Sequence, residues 1–361
     1  MIGEFLARHN IEDEIFAAGV SGGADSLAMV LMLHDDLKPL GKKIIALTVD
    51  HKLRPESGEE ALYVAEVLEH SGIEHHILSW EGPKPEKGIE EAARQARYAL
   101  MSDWCRRNGI EALFTAHHLE DQAETFLMRL QRGSGLNGLC GMSEVSCLHG
   151  LRILRPLLSV EPAVLRQYLA DRGLRWVEDP SNRSDEFLRC RIRKLLPIMA
   201  EMAGITPRRI VQTMGILARS RDYFETQVAE LIDRYARFWG KAGVRLPDSL
   251  LIELPEEMSY RLLSALIKAV GERDYVPRSE DVQRLAAALR GDSFRGATLG
   301  GCALFYARRK MWIVKEVKDG EKLSKKAWEA FTLRHTAYKN SDLPYKLRLA
   351  LVCQEKAGKT V

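Results

Sequence analysis

The first half of the chain alternates between two hydrophobic periods. Short apolar runs, EIFAAGVS (14–21), KKIIALTVD (42–50), IEHHILSW (73–80) and IEALFTAHH (110–118), have the length of buried strands. Between them, residues 24–38, 56–72, 89–109 and 120–133 place apolar side chains at helical spacing. Gly72 and Gly109 stand where a helix ends in a left-handed cap. GPKPEKG (82–88) reads as a loop. Strand and helix alternating with short connections predict βαβ units, hence an α/β fold whose parallel sheet carries helices on both faces. Ligands of such sheets bind outside the carboxyl ends of the strands. That rule singles out Ser21–Ser26, Asp50–Arg54 and Ala116–Asp121.

Further on, RILRPLL (152–158) predicts another strand and VEPAVLRQYLADRG (160–173) a helix with proline near its start. Helical patterns dominate from Arg191 to Lys268. GATLGGCALFYARRKMWIVKE (296–316) predicts a β-hairpin, two β-prone runs flanking ARRK. The last 40 or so residues carry only a weak pattern.

A length of 361 residues suggests two or three domains, and 46% hydrophobic content supplies sizeable cores and argues against disorder. Net charge is only +3, but from Arg308 onward there are 14 Lys or Arg against 6 Asp or Glu. A basic end suits nucleic acid; a solvated lysine-rich surface is the plain alternative. Six scattered cysteines without a CxxC pair argue against a zinc site or a disulfide framework and fit a reducing compartment. MIGEFLARHNIEDE lacks the apolar core of a signal peptide, and no uncharged run reaches the ~18 residues of a membrane span. A cytoplasmic protein with no membrane partner is expected.

SGGADS (21–26) follows a strand and opens a helix. Gly22 and Gly23 let the backbone turn tightly and present bare N–H groups, and the helix N-terminus favours an anion. Neither the Walker A pattern nor G-x-G-x-x-G is present. Asp25 is the odd member, since a carboxylate repels a phosphate. It either shares a divalent cation with the phosphates or caps helix N–H groups.

SGGADS resembles the pyrophosphatase-type ATP loop, SGGxDS, of enzymes that cleave ATP between the α and β phosphates. VDHKLRPESGEE (49–60), EAARQARY (91–98) and HHLEDQAET…RLQRGSGLNGLCGM (117–142) narrow the resemblance to the tRNA(Ile)-lysidine synthases. RPLL (155–158), EDPSN (178–182) and RCRIR (189–193) continue it in family order. The motifs are strong over residues 13–200 and weaker to about 316. The resemblance implies ligation of L-lysine to C2 of the wobble cytidine of a CAU-anticodon tRNA(Ile). ATP adenylates the C2 oxygen with release of pyrophosphate, and the lysine ε-amine then displaces AMP. A tRNA thiolase with the same loop is the nearest rival; it usually shows paired catalytic cysteines or a CxxC, and here only Cys140 and Cys147, in a Gly-rich stretch, come near that pattern.

By the resemblance, Ser21, Gly22, Gly23, Ala24, Asp25 and Ser26 bind ATP, with Asp25 holding Mg²⁺, and Asp50, His51 and Arg132 border the nucleotide. Arg191 is expected to act in catalysis with Asp25 and Asp121. Arg132 also ends an amphipathic helix, where it would complement the dipole. Lysine has a carboxylate and an ammonium. Arg97 suits the first, and Asp121 with Glu124, three apart on one helix, suit the second; an Arg97–Glu124 salt bridge is the structural alternative. Asp121, Glu124 or His117 could take the proton of the attacking amine. Arg189, Arg191 and Arg193 do not share a helical face, so a loop or extended entry is expected there. Asn182 marks a turn. The expected organisation is an ATP-binding catalytic domain (1–198), a helical linker (199–245), a small α+β tRNA-binding domain (246–318) and a basic extension (319–361). The resemblance leaves a homodimer open.

Overall fold

Alternate residues of the first strands face opposite ways, and both directions are apolar. In the computed structural model, which describes residues 1–53, 57–85, 88–177, 188–271, 277–291, 294–317, 321–335 and 343–357, strand β1 spans Ile15–Gly19 and β2 spans Lys43–Asp50. Phe16, Ala18, Ile44 and Ala46 enter one apolar cluster, and Ala17, Ile45 and Leu47 enter another. The first cluster is closed by α1 (Ile2–Arg8), α2 (Ala24–Leu37) and α3 (Ser57–His70), through Phe5, Leu27, Leu33 and Leu68. The second is closed by α4 (Ile89–Arg107), through Tyr98, Met101 and Cys105. Burial on both faces is what an uninterrupted apolar run encodes.

β3 (Glu74–Ser79) and β4 (Ala112–Phe114) flank this pair, followed by α5 (Leu119–Gln131), the short α6 (Leu136–Leu139), β5 (Val145–Leu148), β6 (Leu151–Leu154) and α7 (Pro162–Asp171). The sheet order is β3-β2-β1-β4-β6-β5. Five strands are parallel and β5 runs antiparallel to β6. The expected parallel sheet therefore carries one antiparallel edge strand. His149 (φ 52°) and Gly150 (φ 78°) make the two-residue turn of that hairpin. β6 stops at Leu154, short of the expected 158, because Pro156 cannot donate to a ladder. The chain leaves β1 toward β2 and β3, then returns to place β4 on its other side. This reversal opens a crevice at the carboxyl ends of β1 and β4.

α8 (Leu188–Ala203) packs on α5, with Ile192 and Leu196 against Ala123. Leu188 already lies within α8, so the expected loop or extended entry for the RCRIR arginines is corrected to a helix. EDPSN with Asn182 lies outside the described residues. α9 (Pro207–Tyr235) adds Ile210 and Met214 to the same cluster.

The chain divides into two compact units, Met1–Arg219 and Ser220–Val361. The second contains β7 (Arg237–Trp239), β8 (Gly243–Pro247), α10 (Leu250–Glu253), α11 (Glu256–Gly271), α12 (Ser279–Leu289), β9 (Ala297–Leu299), β10 (Cys302–Ala307) and β11 (Lys310–Lys315). Its strands form one antiparallel sheet in the order β7-β8-β11-β10-β9. The expected hairpin is thus part of a larger sheet, and residues 237–245, expected within the helical linker, supply β7 and most of β8. Val244, Leu246, Met311 and Ile313 face α11 and α12. Trp312 and Val314 face α13 (Lys325–Arg334) and α14 (Tyr345–Lys356), which bury Phe331, Leu347 and Leu351. The weakly patterned tail is therefore one layer of this unit.

Candidate active site

Each site segment leaves the sheet at a carboxyl end. After β1, Gly22 adopts φ +82°, and a Cβ there would lie 3.0 Å from Val64 Cγ2 and 3.3 Å from Val177 Cγ2. Only glycine fits both the backbone and the space. The Gly22 carbonyl accepts from Val177 N at 2.9 Å. Ser26 closes the loop on itself: its Oγ accepts from Ser21 N at 3.0 Å and donates to Gly23 O at 3.1 Å. α2 then starts at Ala24 with Gly23 as its N-cap and no side-chain cap. Asp25 is therefore not spent on capping. Its Oδ1 is buried with no hydrogen-bond partner among the described residues. An orphaned carboxylate oxygen beside bare helix N–H groups suits a cation shared with an anion.

After β2, Asp50 turns inward on its own chain. Its Oδ1 accepts from Lys52 N at 2.9 Å and Ser57 Oγ at 2.8 Å, which shapes the entry to α3. His51 stands edge-on to Trp80, with centroids 5.8 Å apart, and its Nδ1 is buried without a hydrogen-bond partner among the described residues. Burial, then the charge of Arg97, pushes its pKa down against the pull of Asp50, so the ring is neutral near pH 7.

After β4, Asp121 Oδ2 accepts from the backbone N–H of His118 at 3.0 Å at the head of α5. His118 is the residue sequence reasoning missed. Its Nε2 lies 3.5 Å from Asp25 Oδ2 and 3.4 Å from Asp121 Oδ2, so it joins the glycine loop to α5. Burial alone would lower its pKa, but the Asp25 hydrogen bond and the charges of Asp121, Asp25 and Glu120 outweigh it, and the net shift is upward. The adjacent His117 bonds Thr115 Oγ1 at 3.0 Å, and burial pushes its pKa down to about 3 despite Asp121. His117 is thus a weak proton acceptor. The signal that separates the two histidines is position: His118 is the N-cap of α5.

α5 and α8 meet through charge. Arg189 donates from Nη2 to Asp121 Oδ1 at 2.6 Å and from Nε to Glu124 Oε2 at 2.5 Å. Arg193 Nε donates to Glu124 Oε1 at 2.7 Å. Glu124 has no exposed surface. The acids are spaced i, i+3 and the arginines i, i+4, the spacings that put each pair on one face. Arg191 lies off that face and is exposed. Burial would raise the Asp121 pKa, but the charges of His118 and Arg189 and the His118 N–H bring it below the usual carboxylate range.

Arg97 makes no ion pair among the described residues, so the alternative Arg97–Glu124 bridge is not formed. Its guanidinium lies 5.6 Å from the Tyr98 ring centroid and is half-buried. The charges of Arg94 and Arg189 act on it, and it acts on His51, which places it beside the same crevice. Arg132, in contrast, is the exposed C-terminal cap of α5, about 16 Å along the helix axis from Asp121. Arg129 takes the internal role in that motif, donating to Gly138 O at 2.7 Å and Gly141 O at 2.9 Å. Gln122 clamps the same loop by a two-way bond to the backbone of Met142. Cys140 is buried and its thiol donates to Leu136 O, whereas Cys147 is exposed on β5. Among the described residues no group of three or more His, Cys, Asp or Glu is arranged to hold a metal, and no helix is long and apolar enough to cross a membrane.

The loop and the sheet place the chain among known proteins. Residues 2–199 match the family model described as the PP-loop domain. The fold is similar to that of the U34-tRNA thiolase NcsA from Methanococcus maripaludis, with a TM-score of 0.50 at 18% identity over 57% of this chain and 72% of that one. Curated relatives are similar over far more of the sequence. The tRNA(Ile)-lysidine synthase of Ruegeria pomeroyi is 35% identical over 84% of this chain and 72% of its own length. That of Methylobacterium nodulans is 40% identical over 79% and 85%. With its loop, its α5 acids and matches of this extent, the chain belongs to the PP-loop ATP-using enzymes and, within them, to the tRNA(Ile)-lysidine synthase family.

Proposed function

We propose that this protein ligates L-lysine to C2 of the wobble cytidine of a CAU-anticodon tRNA(Ile), changing the codon it reads from AUG to AUA. The observation that carries the site assignment is the contact of His118 with Asp25 and Asp121, which sets the glycine loop beside the α5 acids. ATP is consumed to AMP and pyrophosphate. In the first step the cytidine O2 attacks the α phosphate and pyrophosphate leaves. The N–H groups of Gly22, Gly23 and Ala24 and the hydroxyls of Ser21 and Ser26 bind the phosphates at the positive end of α2. Asp25, through an Oδ1 with no hydrogen-bond partner among the described residues, holds Mg²⁺, which when bound neutralises charge developing on the phosphates. Asp50 and His51 border the nucleotide from the end of β2.

In the second step the lysine ε-amine attacks C2 and gives up a proton to the Asp121–Glu124 pair, the C2–O bond breaks and AMP leaves with that oxygen. Arg97, a guanidinium without an acidic partner among the described residues, takes the lysine carboxylate. Asp121 and Glu124 recognise its amine end. His118 holds Asp121 and Asp25 in register, so both half-reactions share one crevice. Arg191 and Arg132, exposed and off this crevice, are left as cations for the polyanionic tRNA rather than for the reacting atoms. The second unit, Ser220–Val361, adds further basic surface, including Arg308 and Arg309 at the β10–β11 turn. Phosphate contacts there make binding weaken with salt. The reaction belongs in the cytoplasm, with its tRNA.

Two variants test the assignments. Asp25→Asn abolishes AMP formation while largely sparing tRNA binding. Arg97→Ala raises the KM for lysine far more than that for ATP; equal effects on both count against a carboxylate clamp.

A further inference from the structure

Each oxygen of the carboxylates assigned to the lysine amine already accepts a hydrogen bond. Asp121 gives Oδ1 to Arg189 and Oδ2 to the His118 backbone, and Glu124 gives its two oxygens to Arg189 and Arg193. The Glu124 side chain is 0% exposed and that of Asp121 12%. An ammonium placed between the two acids competes with the guanidinium that bridges them. Arg189 is the one that bridges both, and its side chain is 38% exposed, so it has room to swing away. Two acids face two arginines, and the nearby charges of Arg97 and Arg94 add positive potential. A third cation arriving at Asp121 and Glu124 therefore competes with the guanidiniums already paired to them.

The glycine loop lies close by. Arg189 touches Asp121, Asp121 touches His118, and His118 touches Asp25. A polyphosphate seated on that loop is the nearest competing anion for Arg189, and arginine pairs with phosphate through two parallel hydrogen bonds.

We propose that Arg189 is an exchangeable counter-ion. It fills the amine site until a phosphate of bound ATP draws it off, and lysine binding therefore depends on bound nucleotide. This rests on the reading of Asp121 and Glu124 as the lysine site. Arg189 is a positioning residue that acts through those two acids. Arg193 stays with Glu124 and keeps its buried charge paired during the exchange. By linkage, lysine tightens ATP binding by the same factor as ATP tightens lysine binding.

The test is isothermal titration of L-lysine into the full chain, with and without Mg²⁺ and α,β-methylene-ATP. The wild type binds lysine about tenfold tighter with the analogue, within the usual range of such couplings. Arg189→Met binds lysine tightly without it, and the ratio falls to about one. Arg189→Lys keeps a cation without the planar fork, so its ratio is reduced but above one; it decides the question if the methionine variant does not fold. A wild-type ratio of one, or an undiminished ratio in the position-189 variants, overturns the counter-ion role. Asp121→Asn separates the two failures. If it weakens lysine binding while the Arg189 variants keep the wild-type ratio, only the counter-ion is refuted. If it binds lysine as the wild type does, the lysine site itself is misassigned, and the counter-ion falls with it.

Discussion

Glu124→Gln probes the charge joint between α5 and α8. Glu124 is fully buried and accepts from Arg189 at 2.5 Å and Arg193 at 2.7 Å. A hydrogen bond to a charged group contributes about 1.5–3 kcal/mol, and removing one partner of a buried ion pair costs about 3–5 kcal/mol. Two features reduce that figure. Glutamine keeps one acceptor oxygen, and the arginine side chains are 38% and 41% exposed, so water recovers part of the loss. Against this, the new NH₂ group faces a guanidinium donor. The balance is a loss of about 2–3 kcal/mol. For a unit of this size that is a fall of roughly 4–12 °C in the unfolding midpoint. Calorimetry of the full chain, following the transition that an ATP analogue shifts, reads it. Arg191→Gln, on the same helix but exposed, is the control and stays within about 0.5 kcal/mol of wild type. Equal midpoints for the two variants refute the argument that Glu124 anchors α8.

Three further predictions follow from the same geometry. Gly22→Ala raises the KM for ATP, because the new Cβ meets Val64 and Val177 at φ +82°, whereas Gly72→Ala, at φ +70° with nothing within 4 Å, costs stability alone; equal ATP KM values for the two count against the loop argument. His75, bonded to Thr48 Oγ1 at 2.8 Å, has its pKa pushed down to about 4 by burial and by His76. The unfolded chain therefore binds the extra proton first, and stability held above pH 6.5 drains as pH falls toward 4. Urea midpoints at pH 7.5 and pH 5 read this, and His75→Gln shows a smaller acid loss; parallel losses contradict it. Truncation after residue 320 uncovers the face of Trp312 and Val314 and gives a protein that binds ANS and aggregates; a truncated chain that stays monomeric and binds no dye contradicts the two-faced sheet.

Much of the catalytic unit was legible because its strands are uninterrupted apolar runs and its helices end on glycine. Position then told which segments reach the crevice, since carboxyl strand ends converge at a switch point. Four features were not legible for physical reasons. The edge strand β5 is half-polar and pairs through a His149-Gly150 turn that carries no strong hairpin signature. β7 and β8 are short, and their burial depends on partners some 70 residues later in the chain. The face of α8 could not be fixed before its helical start was known. With Leu188 already helical, Arg189 and Arg193 face the acids and Arg191 does not. His118 was hidden beside His117, because only the N-cap geometry of α5 distinguishes a histidine between two carboxylates from one turned toward Thr115.

The most direct measurement mixes the full chain with ATP, Mg²⁺, labelled L-lysine and a tRNA(Ile) transcript bearing a CAU anticodon. The account predicts label in the RNA at the wobble cytidine, with AMP and pyrophosphate released, and no label in a transcript whose wobble base is uridine. RNA that stays unlabelled while ATP is turned over, or that gains sulfur from a thiol donor instead, contradicts it.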